Sequence, residues 1–483
     1  MTDAEDQMRQ LEALKRSKAP IKLGVFLFPG YELLDCYGPL EMYGICTGEG
    51  FRRFDIVTIG NGTSAMSPDV VVDFLPGDES IPHLDVIMVP GGFVENALDD
   101  TKSLEWLKSV VAKATLVTSI CNGAAILAKI GALDGLKATT NKIEYPEIKA
   151  KFPNVMWQQK ARWVSDGKFI TSSGVSAGCD MALAVIELLA NSKAVSKVSK
   201  VVEYVSTKDP LNDPFSNNHA VDFKGTYRMD EPLPDGAQKF PLRVGVYLYD
   251  NFEMLDTFGP LEMLVVANRF VDNPLFSVKF LATTRQVKSS MGPTFTVDTT
   301  TLDDDCANNI DILFIPGGLG SIREMHEKTA LDFLARAASK AKYVLTVCSG
   351  SSLLSRTGFL DNKAATTNKV VYQLLKALSP KVNWVPNARF VRTGNIWTSS
   401  GVSAGIDMTL DFLASILGRS LATGIAERIE YVWVQDLEVD PFAHLARSKG
   451  FLQQAQVKLQ AALLGPIFRT GFALGFKMNT SAL

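Results

Sequence analysis

At 483 residues the chain is too long for one ordinary hydrophobic core, so two or three domains are expected. Its 46% hydrophobic and 21% charged residues are those of a globular protein in water. Lys and Arg total 49 against 52 Asp and Glu, and that net charge of −3 offers nothing to nucleic acid or to an anionic membrane.

In chain order, the N-terminal arm (1–20) mixes acidic and basic residues without an apolar centre and does not read as a signal peptide. Ile21 to Phe28 reads as a buried strand, Pro29-Gly30 as a turn, and Leu33 to Ile45 as a helix carrying Asp35 near its start. Phe54 to Ile59 is a second strand, and Asp85 to Val89 a third that ends at Pro90-Gly91-Gly92. A helix near Leu104 to Lys113 precedes a β-branched run ending at Cys121. Ile143 to Lys151 and Ser176 to Leu189 read as helices, and Arg162 to Ser172 as a hairpin turning at Asp166-Gly167. Strands alternating with helices imply a mostly parallel sheet covered on both faces.

Residues 221–240, with Pro232, Pro234 and Gly236, read as a linker between a first domain (21–220) and a second (241–445). The tail (446–483) looks helical at first, then turns Gly-rich and apolar. It reads as packing or interface surface, with a membrane-surface helix as the alternative. No run of 18 apolar residues suggests a membrane span. The six cysteines are irregularly spaced, which argues for a reducing, cytoplasmic setting over a disulfide framework.

The chief organising fact is a domain-sized internal repeat. Asp35-Cys-Tyr-Gly-Pro-Leu-Glu-Met returns as Asp256-Thr-Phe-Gly-Pro-Leu-Glu-Met, an offset of 256 − 35 = 221. Ala138-Thr-Thr-Asn-Lys, Thr171-Ser-Ser-Gly-Val-Ser-Ala-Gly and Asp213-Pro-Phe return from Ala365, Thr398 and Asp440. Around Cys121-Asn122-Gly123 and Cys348-Ser349-Gly350 a short strand gives way to small residues and then an apolar helical run, at an offset of 348 − 121 = 227.

Such a strand–elbow–helix presents its cysteine at the carboxyl edge of a sheet, where α/β folds place their sites. The helix N-terminus there favours a thiolate, and strained φ/ψ angles are expected at the elbow. The plainer reading, a buried inert thiol, is weakened by recurrence. Asp35 and Asp256 could sit beside these thiols; a thiolate neighbour would raise their pKa and let them carry a proton. Helix capping is the plainer reading of each. The turns Gly91-Gly92 and Gly317-Gly318 could offer backbone N–H groups to a developing anion, or could be turns and nothing more.

Together, Phe28-Pro-Gly-Tyr-Glu-Leu-Leu-Asp35, Pro90-Gly-Gly92, the Ile120-Cys121-Asn-Gly elbow, Gly131-Ala-Leu-Asp-Gly-Leu-Lys-Ala-Thr-Thr140 and the Thr-Ser-Ser-Gly-Val-Ser-Ala-Gly run resemble the ThiJ/PfpI superfamily, within the class I glutamine-amidotransferase-like fold. The resemblance covers both halves. It implies two tandem flavodoxin-like, doubly wound α/β domains with mostly parallel sheets. Because homodimers are common in that superfamily, the fusion resembles a built-in pseudo-dimer.

Aspartate on the first helix looks like the isonitrile hydratase branch. There the cysteine attacks the isocyanide carbon, the aspartate positions water and moves protons, and an N-formamide results. The resemblance assigns those roles to Cys121 with Asp35 and Cys348 with Asp256. It implies a small-molecule substrate and no cofactor. Gly91, Gly92, Asn122, Gly317, Gly318 and Ser349 are left as substrate or oxyanion contacts.

Two positions depart from the pattern. The branch carries Thr after the nucleophile, where this chain has Asn122 and Ser349, so Ser349 is the nearer match and the second site the expected main hydratase. Many relatives carry His after Ala-Thr-Thr, where this chain has Asn141 and Asn368. None of the four histidines recurs, which disfavours a Cys–His dyad and leaves them as surface or loop residues. No Cys or His spacing fits a metal site. Glyoxalase-like chemistry on small dicarbonyls is the alternative enzyme reading. A redox-sensing or protective thiol protein is the non-enzymatic one, and a transcription regulator is the weakest, the tail being short and apolar for an appended DNA-binding domain.

Overall fold

The computed structural model describes residues 3–17, 19–46, 54–60, 67–222, 226–227, 240–438 and 440–447. The tail beyond 447 and most of the linker lie outside the described residues. The arm forms a helix over Asp3–Arg16.

Six strands build the first sheet in the spatial order Phe54–Gly60, Ile21–Leu27, Val86–Val89, Leu116–Ser119, Phe169–Ser172, Trp163–Asp166. All neighbours are parallel except the last pair, the Asp166-Gly167 hairpin read from the sequence. The second sheet repeats that order with Phe276–Leu281, Leu242–Tyr247, Ile312–Ile315, Tyr343–Thr346, Ile396–Ser399 and Phe390–Thr393. Val86–Val89, Leu116–Ser119 and Ile312–Ile315 are buried at every position, as strands covered by helices on both faces must be. The chain leaves Ile21–Leu27 toward one edge and returns to build the other side from Val86–Val89, so the strand order reverses between these two. Crevices outside the carboxyl ends of such strands are where α/β sheets hold ligands.

The two halves interlock through counterpart elements. The helices Leu33–Ile45 and Met254–Asn268 pack on each other. Both are apolar on nearly all sides and fully buried over most of their length, which fits an internal helix. Tyr37 and Phe258 occupy equivalent positions and stack with ring centroids 4.2 Å apart, so an approximate two-fold axis passes between them. The Leu34 N–H donates to Glu262 at 3.3 Å, and reciprocally the Leu255 N–H donates to Glu41 at 3.4 Å. A ribbon adds a further link: Asp69–Val71 of the first half pairs antiparallel with Thr294–Thr296 of the second.

Candidate active site

Cys121 and Cys348 sit where strands Leu116–Ser119 and Tyr343–Thr346 turn into helices Gly123–Lys129 and Gly350–Arg356. Their φ angles are 55° and 56°, left-handed values that cost a non-glycine residue roughly 1–2 kcal/mol. The strain expected at both elbows is present. The fold holds it in place: the Cys121 N–H donates to the Ser173 carbonyl at 2.8 Å. The elbow carbonyls accept from Thr140 Oγ1 at 3.0 Å and Thr367 Oγ1 at 2.9 Å. Pinning the elbow is thus what the repeated Ala-Thr-Thr run does.

Asp35 and Asp256 lie in the first turns of their helices, but Glu32 and Glu253 occupy the N-cap positions, so capping does not account for the aspartates. Asp35 Oδ2 accepts from the Gly91 N–H at 3.0 Å, and Asp256 Oδ2 from the Gly317 N–H at 3.1 Å. Oδ1 of each is buried with no hydrogen-bond partner in the protein. Burial, and then the neighbouring Glu32 or Glu253, hold both carboxyls well above the usual carboxylate range. The direction agrees with the sequence reading, but the cause does not, because each thiol lies against its aspartate and acts the other way.

The glycine turns are more committed than expected. Beyond the two bonds to aspartate, the Gly92 N–H donates to Asn122 Oδ1 at 2.8 Å and the Gly318 N–H to Ser349 Oγ at 3.0 Å. All four proposed anion donors therefore point at the protein's own side chains. Asn122 Nδ2 also donates to the Gly92 carbonyl at 2.8 Å, and Ser349 Oγ to the Gly318 carbonyl at 3.1 Å. Two different residues thus clip the same turn to the same elbow by both of its backbone groups. A side chain has no room there: a Cβ on Gly91 would lie 2.7 Å from both Asp35 Oδ2 and Cys121 Cβ.

The thiols depart from expectation. Burial first, then Asp35, Glu144, Glu32 and Glu430, push Cys121 well above the usual thiol range. Burial, Asp256, Glu203 and Glu253 do the same to Cys348, against the pull of the Ser349 N–H. A helix terminus contributes about 0.3–1 kcal/mol, which these seven-residue helices cannot set against burial among carboxyls. Both thiols are therefore pushed toward their neutral form.

Several contributors escaped the sequence reading because they come from the opposite half. Glu430 reaches into the first half and accepts from the Ser173 Oγ at 2.5 Å, the Gly174 N–H at 2.7 Å and the Lys142 N–H at 2.8 Å. Glu203 returns the favour, accepting from Ser400 Oγ, from the Gly401 N–H at 2.7 Å and from the Lys369 N–H at 2.6 Å. Both glutamates have positive φ, 53° and 50°. Since Ser173 also holds the Cys121 N–H, Glu430 of the second half steadies the first half's elbow. Their one trace in the sequence is the recurrence of Glu203-Tyr204 as Glu430-Tyr431, again 227 apart (430 − 203).

Other repeated motifs serve the scaffold. Lys142 lies 3.7 Å from Asp213 and Lys369 3.6 Å from Asp440, and Arg162 and Arg389 pair with Asp180 and Asp407, all buried. Asn141 and Asn368 accept from the backbone N–H groups two residues on, each at 2.9 Å. All four histidines are exposed.

Cys121 opens on a cavity of about 60 Å³ between the halves, lined by Glu32, Phe93, Asn122, Glu144 and, from the second half, Arg269 and Arg428. A water needs on the order of 10–15 Å³, so the space suits a molecule of a few heavy atoms. Among the described residues no helix is long and apolar enough to cross a membrane, and no cluster of His, Cys, Asp or Glu could hold a metal ion.

Comparison with known proteins finds the following likenesses. An isonitrile hydratase from Pseudomonas putida is 31% identical over 191 residues, 39% of this chain and 78% of that enzyme. The HTH-type transcriptional regulator GbdR of Pseudomonas aeruginosa is 29% identical over 232 residues, 47% of this chain and 62% of the regulator. A crystal structure of a ThiJ/PfpI family protein from Pseudomonas syringae shares 26% identity, covering 41% of this chain and 79% of that one, with a TM-score of 0.34. The profile of the DJ-1/PfpI family matches twice, over residues 23–188 and 242–415, and the chain belongs to that family.

Proposed function

We propose that the protein is a cysteine-dependent hydratase of small molecules, with isocyanides as the substrate class, and that Cys121 with Asp35 and Cys348 with Asp256 are its reacting groups. The observation that supports this reading is the same pairing in both halves: a strained elbow thiol against a buried carboxyl, pushed toward its neutral form, whose Oδ1 has no partner in the protein. An isocyanide carbon accepts a nucleophile and a proton on the same atom, so a neutral thiol beside a neutral acid suits it. Sulfur bonds to that carbon, and the thiol proton passes to the same carbon through the aspartate, giving a thioimidate. Water then adds, sulfur leaves and recovers a proton, and the N-formamide departs. The likeness to isonitrile hydratase supports the same chemistry.

Glyoxalase-like chemistry is less well supported, with aspartate in place of glutamate and no histidine lining the first cavity. A panel of isocyanides and dicarbonyls on the wild type, Cys121→Ala and Cys348→Ala tests the proposal. Loss of a nucleophile lowers turnover by orders of magnitude, on the order of 10⁶-fold in the best-known case. Because Ser349 is the closer match to the branch's threonine, Cys348→Ala is the variant expected to lose more isonitrile hydration. Unchanged turnover in both variants would overturn the assignment.

A further inference from the structure

The two sites share their thiol, aspartate and glycine turn but not their walls. Arg269 and Arg428 line the cavity at Cys121, and both come from the second half. The counterpart of Arg428 on the equivalent helix of the first half is Val201 (428 − 227). Glu144, which accepts from Asn122 Nδ2 at 2.7 Å, has Val371 as its counterpart (144 + 227). Two charged wall residues of the first site, Arg428 and Glu144, are thus valines in the repeat.

We propose that the first site selects a small substrate bearing a carboxylate, and that Arg269 and Arg428 are the residues that recognise it. The proposal rests on the reading of Cys121 as the reacting group, while leaving open which reaction it performs. Arg269 is aimed by two contacts: its Nη2 pairs with Glu32 at 2.9 Å, and its guanidinium lies 4.9 Å from the ring centre of Phe93, another wall residue. An arginine fork held in this way offers its remaining donors in a fixed direction, which suits the two oxygens of a carboxylate.

The surrounding charges point the same way. Asp35, Glu144, Glu262 and Glu430 are all pushed toward their neutral forms, chiefly by burial. Glu32 alone is held down, by Arg269 against the effect of its own burial. Burial first, and Arg269 second, lower the Arg428 pKa, as befits a cation crowded by another. A ligand carboxylate would relieve that crowding beside the thiol. The cavity of about 60 Å³ limits such a ligand to a few heavy atoms.

The test uses two alkylating reagents of nearly equal size, iodoacetate and iodoacetamide, with labelling at each cysteine followed by mass spectrometry of the full chain. The ratio of iodoacetate to iodoacetamide rates at Cys121 is expected to exceed that at Cys348 by about tenfold, the low end of what a charge-assisted hydrogen bond contributes. Arg428→Met should bring the Cys121 ratio down toward that of Cys348, while Arg428→Lys should keep part of it. An unchanged ratio at Cys348 in the same molecules reports that the variant is folded. Equal ratios at the two cysteines in the wild type, or no labelling of Cys121 by either reagent, would overturn the proposal. Charge-selective labelling without isocyanide turnover would instead count against the hydratase and leave the carboxylate site standing.

Discussion

Gly317→Ala isolates the geometry of one site. The added Cβ would lie 2.6 Å from Asp256 Oδ2, 2.7 Å from the Ser349 nitrogen and 2.8 Å from Cys348 Cβ. Ordinary contact begins at 3.4 Å, so the nearest neighbour must yield 3.4 − 2.6 = 0.8 Å. None of the three contacts is the free end of a flexible chain; they are the aspartate, the elbow backbone and the root of the thiol. Gly317 is not among the positive-φ residues, so the effect is steric and not one of backbone strain. Overpacking of this kind costs about 1–3 kcal/mol of stability, and a displacement near 1 Å at reacting groups costs on the order of 10²-fold in rate. The assay is formamide production from an isocyanide by Gly317→Ala, by its counterpart Gly91→Ala and by the double variant, alongside thermal melts. The single variant at the dominant site should lose about two orders of magnitude in kcat/KM while remaining folded. Full activity in the double variant would refute the placement of the reaction between aspartate and cysteine.

Asp256→Asn keeps the shape and can still accept from the Gly317 N–H but cannot carry a proton, so turnover at that site should fall roughly 10²–10⁴-fold with little change in melting temperature; unchanged turnover would remove the aspartate from proton transfer. Iodoacetamide labelling of Cys121 and Cys348 should keep accelerating with pH beyond the ordinary thiol range, because burial and the adjoining aspartates raise both thiols; a plateau below neutral pH would contradict this. Burial, and then Asp440, push the Glu203 carboxyl from 4.5 up to about 7. A carboxyl raised by folding contributes stability that is complete below its unfolded value and lost as pH climbs through the folded one. The wild type should therefore lose about 3 kcal/mol relative to Glu203→Gln between pH 4.5 and 7, measured by denaturant unfolding; a difference constant with pH would rule it out.

Strands, helices and elbows were legible in the sequence because each is set by local pattern: the β-branched runs, the glycine turns and the small residues after each cysteine all recur at fixed spacing. Leu33–Ile45 begins and ends where its apolar run does. What stayed hidden depends on how the halves dock. Glu203 and Glu430 bond to serine and glycine groups of the opposite half, far away in sequence, and no periodicity announces a partner across an interface. The acidity of Cys121 and Cys348 was read in the wrong direction for the same reason: a helix terminus is a local feature, whereas burial among Asp35, Glu32, Glu144 and Glu430 exists only in the assembled fold. The Gly-Gly N–H groups were free on paper; the side chains that occupy them, Asn122 and Ser349, were already in view but had been assigned to the substrate.

Reciprocal lining of the sites changes what a single substitution can do. In a dimer of identical chains, every change reaches both pockets at once, and a gain in one substrate is a loss in the other. Here Arg269 belongs to the half that carries Cys348, yet it faces Cys121. Covalent fusion of two interlocked copies therefore lets each half tailor its neighbour's pocket and leave its own untouched, so that one polypeptide can hold two specificities on a single catalytic frame.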